Sequence, residues 1–226
     1  PLVPVLGKPL IQYTIEAFAR AGFEELGVVL GYKGEMLARY LGNGLDNGLR
    51  IRCLRNERYL LGNGTSLYVA QSFVGNEPFV VSMADNLLSV QTLSRLLACP
   101  LDRHILCVDH QVWRLPALED ATKVWLDMQG RVRRIGKHLK RWHAVDVGVF
   151  LFQPRVFRYI EDLLAQAHAR CSITRVVRRL ISRGDQLHTC DIAGAFWLDV
   201  DTKDDLAYAR RVLSAQTRMP NLEPVQ

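Results

Sequence analysis

Short, wholly apolar runs alternate with amphipathic stretches along most of this chain, and that alternation limits the fold more than any other feature. Leu26–Leu30 (LGVVL), Phe79–Ala84 (FVVSMA) and His104–Val108 (HILCV) have the length and composition of strands buried on both faces. Pro9–Ala21 carries apolar residues at helical spacing, with Pro at its start and Gly22 after its end. A short helix begins at Lys33, Arg50–Leu54 reads as a strand, and Thr65–Phe73 and Val90–Leu97 read as helices. This β-α-β-α order implies an α/β domain with a mostly parallel central sheet flanked by helices.

The second half changes texture. Thr122–Asp127 and Val132–Ile135, joined through Gln129-Gly130, read as a β-hairpin. Val145–Phe152 is a further strand, and Pro154 opens a helix that runs to about Ala169. Phe196–Asp201 is a short strand and Lys203–Leu213 the last helix. Residues 215–226 hold Pro220 and Pro224 and read as a loosely ordered tail behind one domain, residues 1–214. With 226 residues the chain can bury a sizeable core. No apolar run approaches the roughly 20 residues of a spanning helix.

Lys plus Arg outnumber Asp plus Glu by 29 to 23, a net charge of +6 that favours anionic partners. The surplus concentrates in Arg131–His143 (RVRRIGKHLKRWH) and Arg175–Arg183 (RVVRRLISR). Around the second, Ile173, Val176, Val177, Leu180 and Ile181 recur at helical spacing, giving an amphipathic helix with a solvated basic face. Neither stretch has the glycine-aromatic pattern of an RNA-binding strand or a helix-turn-helix, so no nucleic-acid partner is expected. The five cysteines form an odd set without C-x-x-C spacing. That disfavours a disulfide framework or a zinc site and points to a reducing, cytoplasmic compartment.

In an open α/β sheet, ligands bind beyond the carboxyl ends of the strands. Asp85 directly follows FVVSMA; there it either caps a turn or helix, or meets water or a cation. In WLDVDT, residues two apart face one side of an extended segment, so Asp199 and Asp201 present their carboxylates together. Such charges repel, and a divalent cation relieves them; Mg²⁺ typically takes one or two carboxylates plus water and phosphate. The competing reading is capping of the last helix by Asp201 or Thr202, and we assign Asp201 as the cap and Asp199 as the ligand. Gly62-Asn63-Gly64-Thr65-Ser66 opens onto a helix, where backbone N–H groups can hold an anion or a base edge. The same GNG at 42–44 needs only a turn. Lys123 and Lys137 are candidate phosphate contacts, although an exposed strand lysine is the commoner case.

The opening PLVPVLGKPLIQYTIEAFARAGFEELGVVLGYKGE is followed by GNGTSL, SMADN, ATKVWLDMQGRVRRIGKHLKRWHAVDVGVFLF and FWLDVDTKDDL. In this order the segments resemble the sugar-phosphate and alcohol-phosphate nucleotidyltransferases, from Pro1 to about Leu213. ATKV, IGKHL and VDVGVF together are similar to CTP:inositol-1-phosphate cytidylyltransferases; SLYVA and ADN are also similar to CTP:phosphocholine cytidylyltransferases. The resemblance implies a Rossmann-like fold with a small hairpin insertion on the acceptor side. It implies Mg²⁺ on Asp85 and Asp199 with Asp201 beside them, base contacts from the Gly62–Ser66 loop, and acceptor contacts from Lys123 and Asp146.

The reaction so implied is attack by the phosphate of an acceptor such as inositol 1-phosphate on the α-phosphorus of CTP, releasing pyrophosphate. A phosphate monoester is largely dianionic at neutral pH, so no general base is required. A CTP:phosphocholine-type or hexose-1-phosphate nucleotidyl transfer is the alternative, and a non-catalytic nucleotide-binding scaffold on the same fold the second. The family's glycine-rich L-A-A-G-x-G-T-R loop and following lysine do not stand ahead of Pro1, and this reading expects the natural N-terminus upstream. CTP and a phosphorylated alcohol are the expected partners; a homodimer or a transferase domain fused downstream is left open.

Overall fold

The computed structural model describes residues 1–42, 48–111, 118–166 and 170–218. A small antiparallel pair, β1 (Pro4–Val5) and β2 (Lys8–Pro9), leads into α1 (Leu10–Arg20), β3 (Glu25–Leu30), α2 (Gly34–Gly42) and β4 (Arg50–Arg55). A 3-10 turn precedes α3 (Asn63–Val69) and α4 (Gln71–Val74), then β5 (Phe79–Ser82), β6 (Asn86–Leu88), α5 (Val90–Leu97) and β7 (His104–Asp109). The second half holds β8 (Lys123–Leu126), β9 (Val132–Gly136), β10 (Ala144–Phe152), α6 (Val156–Leu164) and α7 (Ile173–Ser182). It closes with β11 (Leu187–Asp191), β12 (Trp197–Asp199) and α8 (Lys203–Arg218).

β7 and β10 form the middle of the central sheet, and their alternate residues feed two cores. Leu106, Val108, Phe150 and Phe152 point to the layer of α6, α7 and the β8–β9 hairpin. Ile105, Cys107, Val147, Val149 and Leu151 point to the layer of α1 and α5. All six residues of β7 are buried, which explains the apolar run Ile105–Val108 between His104 and Asp109. Helix α7 buries Ile173, Val176, Val177 and Leu180 on one stripe, as the spacing predicts.

The sheet is α/β as expected but mixed in pairing, not mostly parallel. β11 lies parallel to β7, and β3 to β4, whereas β10 runs antiparallel to β5, β7 and β8. The physical reason is the connection: parallel neighbours need a crossover, usually helical. Between β7 and β10 the described residues contain only the β8–β9 hairpin, so β10 returns against β7.

Several elements also differ. The helix expected at Thr65–Phe73 starts earlier and breaks at Ala70 into α3 and α4. β11 has no counterpart in the sequence reading. Helix α8 continues to Arg218, into the stretch expected as tail; 219–226 lie outside the described residues. So do 167–169, at the expected end of the helix that α6 forms, and the earlier GNG from residue 43 on. No helix among the described residues is long and apolar enough to cross a membrane.

Candidate active site

The acidic residues meet through one short ladder. β6 pairs antiparallel with β12 in the register Asn86↔Asp199, which sets Asp199 opposite the neighbour of Asp85. Val200 N then donates to Asp85 O at 3.2 Å. The carboxylates of Asp85, Asp199 and Asp201 offer oxygens that all lie within 4.8 Å of one another. Asp201 is not the cap of α8. Thr202 takes that place: its N and Oγ1 donate to Asp205 Oδ2 at 2.8 and 2.7 Å, and Asp205 N donates to Thr202 Oγ1 at 3.2 Å. This reciprocal box satisfies the helix end and leaves the Asp201 carboxylate to the cluster.

The cluster stands in a cleft of about 500 Å³ that also takes in Asn63, Lys137 and Asp146. Desolvation first, then the charges of Asp85, Asp201 and Asp205, push the Asp199 carboxyl up to about 7, while Lys137 pulls it down. Asp199 keeps exposed surface, so the neighbouring carboxylates are the part of that shift a cation would reverse. Burial likewise raises Asp85; its own backbone N–H opposes this and Asp201 adds to it.

Asp146 enters the cleft because β10 is bulged. Its register with β7 shifts between Asp146 and Phe150, and Gly148 takes a φ of +75° inside the bulge. A Cβ on Gly148 would stand 2.7 Å from Asn86 Nδ2, which donates to Val147 O at 2.8 Å. Burial pushes the Asp146 carboxyl up to about 7, against the Gly148 N–H that donates to its Oδ1 at 2.7 Å.

The glycines of the Gly62–Ser66 loop are required by packing within the chain. A Cβ on Gly64 would lie 2.6 Å from Cys171 Sγ and 2.8 Å from Cys171 O; one on Gly62, at φ +109°, would lie 2.5 Å from the same oxygen. The N–H groups of Gly62, Gly64 and Thr65 donate to Tyr59 O, Cys171 O and Gly62 O. The side chains of Thr65 and Ser66 both accept from Asn56 Nδ2 at 3.0 Å. Of Gly62, Asn63, Gly64, Thr65 and Ser66, Asn63 lines the cleft. Its Oδ1 accepts from Ile173 N at 2.9 Å, and its Nδ2 has Met83 Sδ at 3.7 Å.

Lys137 lines the cleft, whereas Lys123 does not. Lys123 Nζ donates to the carbonyls of Glu119, Ala121 and Lys137 at 2.8, 3.3 and 3.0 Å, bracing the base of the hairpin under the cleft wall. Asp120, Thr122 and Thr174 line the cleft as well. Thr122 lies in the ATKV segment without being singled out by it, and no periodicity or motif marks Asp120 or Thr174 in the sequence.

The MobA-like NTP transferase domain matches residues 1–186. The bifunctional IPC transferase and DIPP synthase of Rubrobacter xylanophilus is 34% identical over 227 residues, covering 100% of this chain and 50% of that protein. A glucose-1-phosphate thymidylyltransferase of Streptomyces griseus is 25% identical over 223 residues, covering 96% of this chain and 60% of that protein. The chain thus spans about half the length of the curated relatives it matches. The inositol-1-phosphate CTP transferase from T. maritima shares the fold, with a TM-score of 0.79 at 23% identity over 99% of this chain and 88% of that one. Since the domain match runs from β1 through α7, the chain belongs to the family of MobA-like NTP transferase domains.

Proposed function

We propose that this cleft transfers CMP from CTP to the phosphate of a phosphorylated alcohol such as inositol 1-phosphate, releasing pyrophosphate, with Asp85, Asp199 and Asp201 holding Mg²⁺. The acidic cluster carries the reading. A cleft walled by three close carboxylates repels a triphosphate unless a cation stands between them. All three donors are hard oxygens, with no thiol or imidazole among them, which suits Mg²⁺. When bound, Mg²⁺ supplies charge screening and polarisation of phosphate oxygens.

The chain's own groups align the substrates. Lys137 supplies positive charge for the acceptor's phosphate. Asp146, whose carboxyl exchanges its proton near neutrality, donates to or accepts from an acceptor hydroxyl. Asn63 offers Nδ2 to the base, since its Oδ1 is committed to Ile173. The attacking phosphate needs no deprotonation, so the task left to the protein is positioning and electrostatic stabilisation. Support for an inositol phosphate acceptor comes from the higher identity to the IPC transferase, 34% against 25% for the thymidylyltransferase.

The test is a panel of CTP, UTP and dTTP with inositol 1-phosphate, phosphocholine and glucose 1-phosphate. The full-length protein is scored by pyrophosphate release with Mg²⁺ and with chelator. Mg²⁺-dependent release with CTP and inositol 1-phosphate is expected. Preference for dTTP or UTP with the hexose phosphate overturns the cytidylyl assignment. Nucleotide binding without turnover for any pair assigns the cleft to a scaffold.

A further inference from the structure

The β8–β9 hairpin ends in the turn Asp127-Met128-Gln129-Gly130, and Met128 at its tip is 99% exposed. The turn is rigid. Asp127 Oδ1 accepts from Gln129 N at 2.9 Å and Arg131 N at 3.0 Å, and Gly130 N donates to Asp127 O at 3.0 Å. Thr189 Oγ1, on β11, donates to Gly130 O at 2.8 Å and ties the tip to the central sheet. The fold therefore holds an apolar side chain out in water at a fixed place, and transfer to an apolar phase would release that cost.

Behind the tip lies a cationic band. Trp125 pairs with Arg134 across the ladder, with the guanidinium 4.7 Å from the ring centroid. A groove of about 420 Å³ is lined by Trp125, Arg134, His138, Leu139, Lys140 and Arg141, with no acid among them. Arg133, Arg134, Lys140 and Arg141 are exposed. Among the described residues none of these four forms an ion pair; the hairpin's one pair is Arg131 with Asp127. Leu126 N donates to His143 Nδ1 at 3.0 Å, which stitches the far end of the basic loop to the strand just behind the tip. The base of the hairpin, where Lys123 pairs with Gly136, is the end beside the cleft. The tip is the opposite end.

We propose that this edge docks on an anionic lipid bilayer, with Met128 entering the interface and the basic side chains on headgroup phosphates. An apolar tip backed by cations follows the depth profile of a bilayer, hydrocarbon below and phosphate above. Single-stranded RNA fits less well, because base stacking needs a bare aromatic face. Here Trp125 is half-buried and carries Arg134 across its ring.

The experiment is co-sedimentation of the full-length protein with vesicles of phosphatidylcholine alone and of phosphatidylcholine with phosphatidylglycerol. Binding is expected to the anionic vesicles and to be lost in about 1 M salt, where screening falls to about 3 Å. Each cation near an anionic surface contributes about fivefold, so the triple variant R133E/R134E/K140E lowers partitioning by at least about 10²-fold. Met128→Asp lowers it about tenfold by itself. All four side chains are exposed, and unchanged thermal unfolding of both variants shows that the fold is intact. Equal pelleting with neutral vesicles, variants that bind like the wild type, or tighter binding to mixed RNA at the same salt overturns the proposal.

Discussion

Replacing Asp199 by Asn should stabilise the metal-free protein, and by an amount that depends on pH. The carboxyl is held at about 7 against an ordinary 3.8. Because its folded value is raised, the cost of ionising it appears as pH rises from 3.8 and is complete above about 7. At full effect that shift corresponds to about 4 kcal/mol. Asp199 is exposed, so solvent screening reduces the figure to about 1 kcal/mol, which moves the melting temperature by about 3 °C for a chain of this size. The assay is thermal unfolding of wild type and Asp199→Asn from pH 4 to 8, with chelator and with Mg²⁺. The variant should melt higher above pH 7 in chelator, with the difference vanishing toward pH 4. Mg²⁺ should raise the wild type and close the gap. A variant that melts lower at every pH, or one that responds to Mg²⁺ as the wild type does, refutes the claim that repulsion in this cluster is what the cation relieves.

Loss of Asp146 should act on the acceptor alone: Asp146→Ala is expected to raise KM for the phosphorylated alcohol about tenfold, one hydrogen bond's worth, with KM for CTP unchanged in steady-state pyrophosphate release. Gly64→Ala forces a methyl against Cys171 Sγ and the Cys171 carbonyl, which should cost about 1–3 kcal/mol. Adding Cys171→Ala should recover only part of the lost melting temperature, because the carbonyl remains. His104 should make the fold acid-sensitive. It is fully buried, Gln153 N donates to its Nδ1, and its Nε2 lies 3.3 Å from Asp185 Oδ2 but out of line for a hydrogen bond. Burial, then the Arg155 charge, hold it down at about 4 despite Asp185. The unfolded chain therefore binds the proton first, and stability is lost as pH falls from 6.5 to 4. Asp146 and Asp199 slope the other way. The effect is therefore read by denaturant titration as the difference between wild type and His104→Gln, up to about 3 kcal/mol at the acid end.

The layers of this fold were legible because its central strands carry their own burial. β7 has six buried residues in a row, and β10 feeds both cores with alternate side chains. β11 could not be read that way. Its LHTCD mixes polar and apolar residues, and it is a strand because it lies in parallel register with β7, with Cys190 beside Cys107. β6 is three residues long and exists as a strand only through its pairing with β12. The reversed direction of β10 was equally hidden, since an apolar run has the same composition read either way and only its connection decides how it pairs.

The Asp199–Asp201 pair was legible from its spacing in an extended segment, whereas no spacing brought Asp85 to it; only the resemblance implied that. Asp85 and Asp199 belong to separate elements, and the register Asn86↔Asp199 is what makes them one cluster. The glycine loop shows that a glycine can have a packing reason as well as a binding one. A glycine is required wherever a Cβ would meet something, and the sequence cannot tell whether that something is a ligand or the chain itself. At Gly62 and Gly64 it is the Cys171 backbone, and at Gly148 it is the Asn86 amide. Those spaces are filled from within, and the N–H groups of Gly62 and Gly64 are already spent on carbonyls. Under the function proposed above, selectivity then falls to side chains that still have a bond to give, such as Asn63 Nδ2 and the Lys137 and Asp146 groups, around a carboxylate cluster that we propose takes a cation.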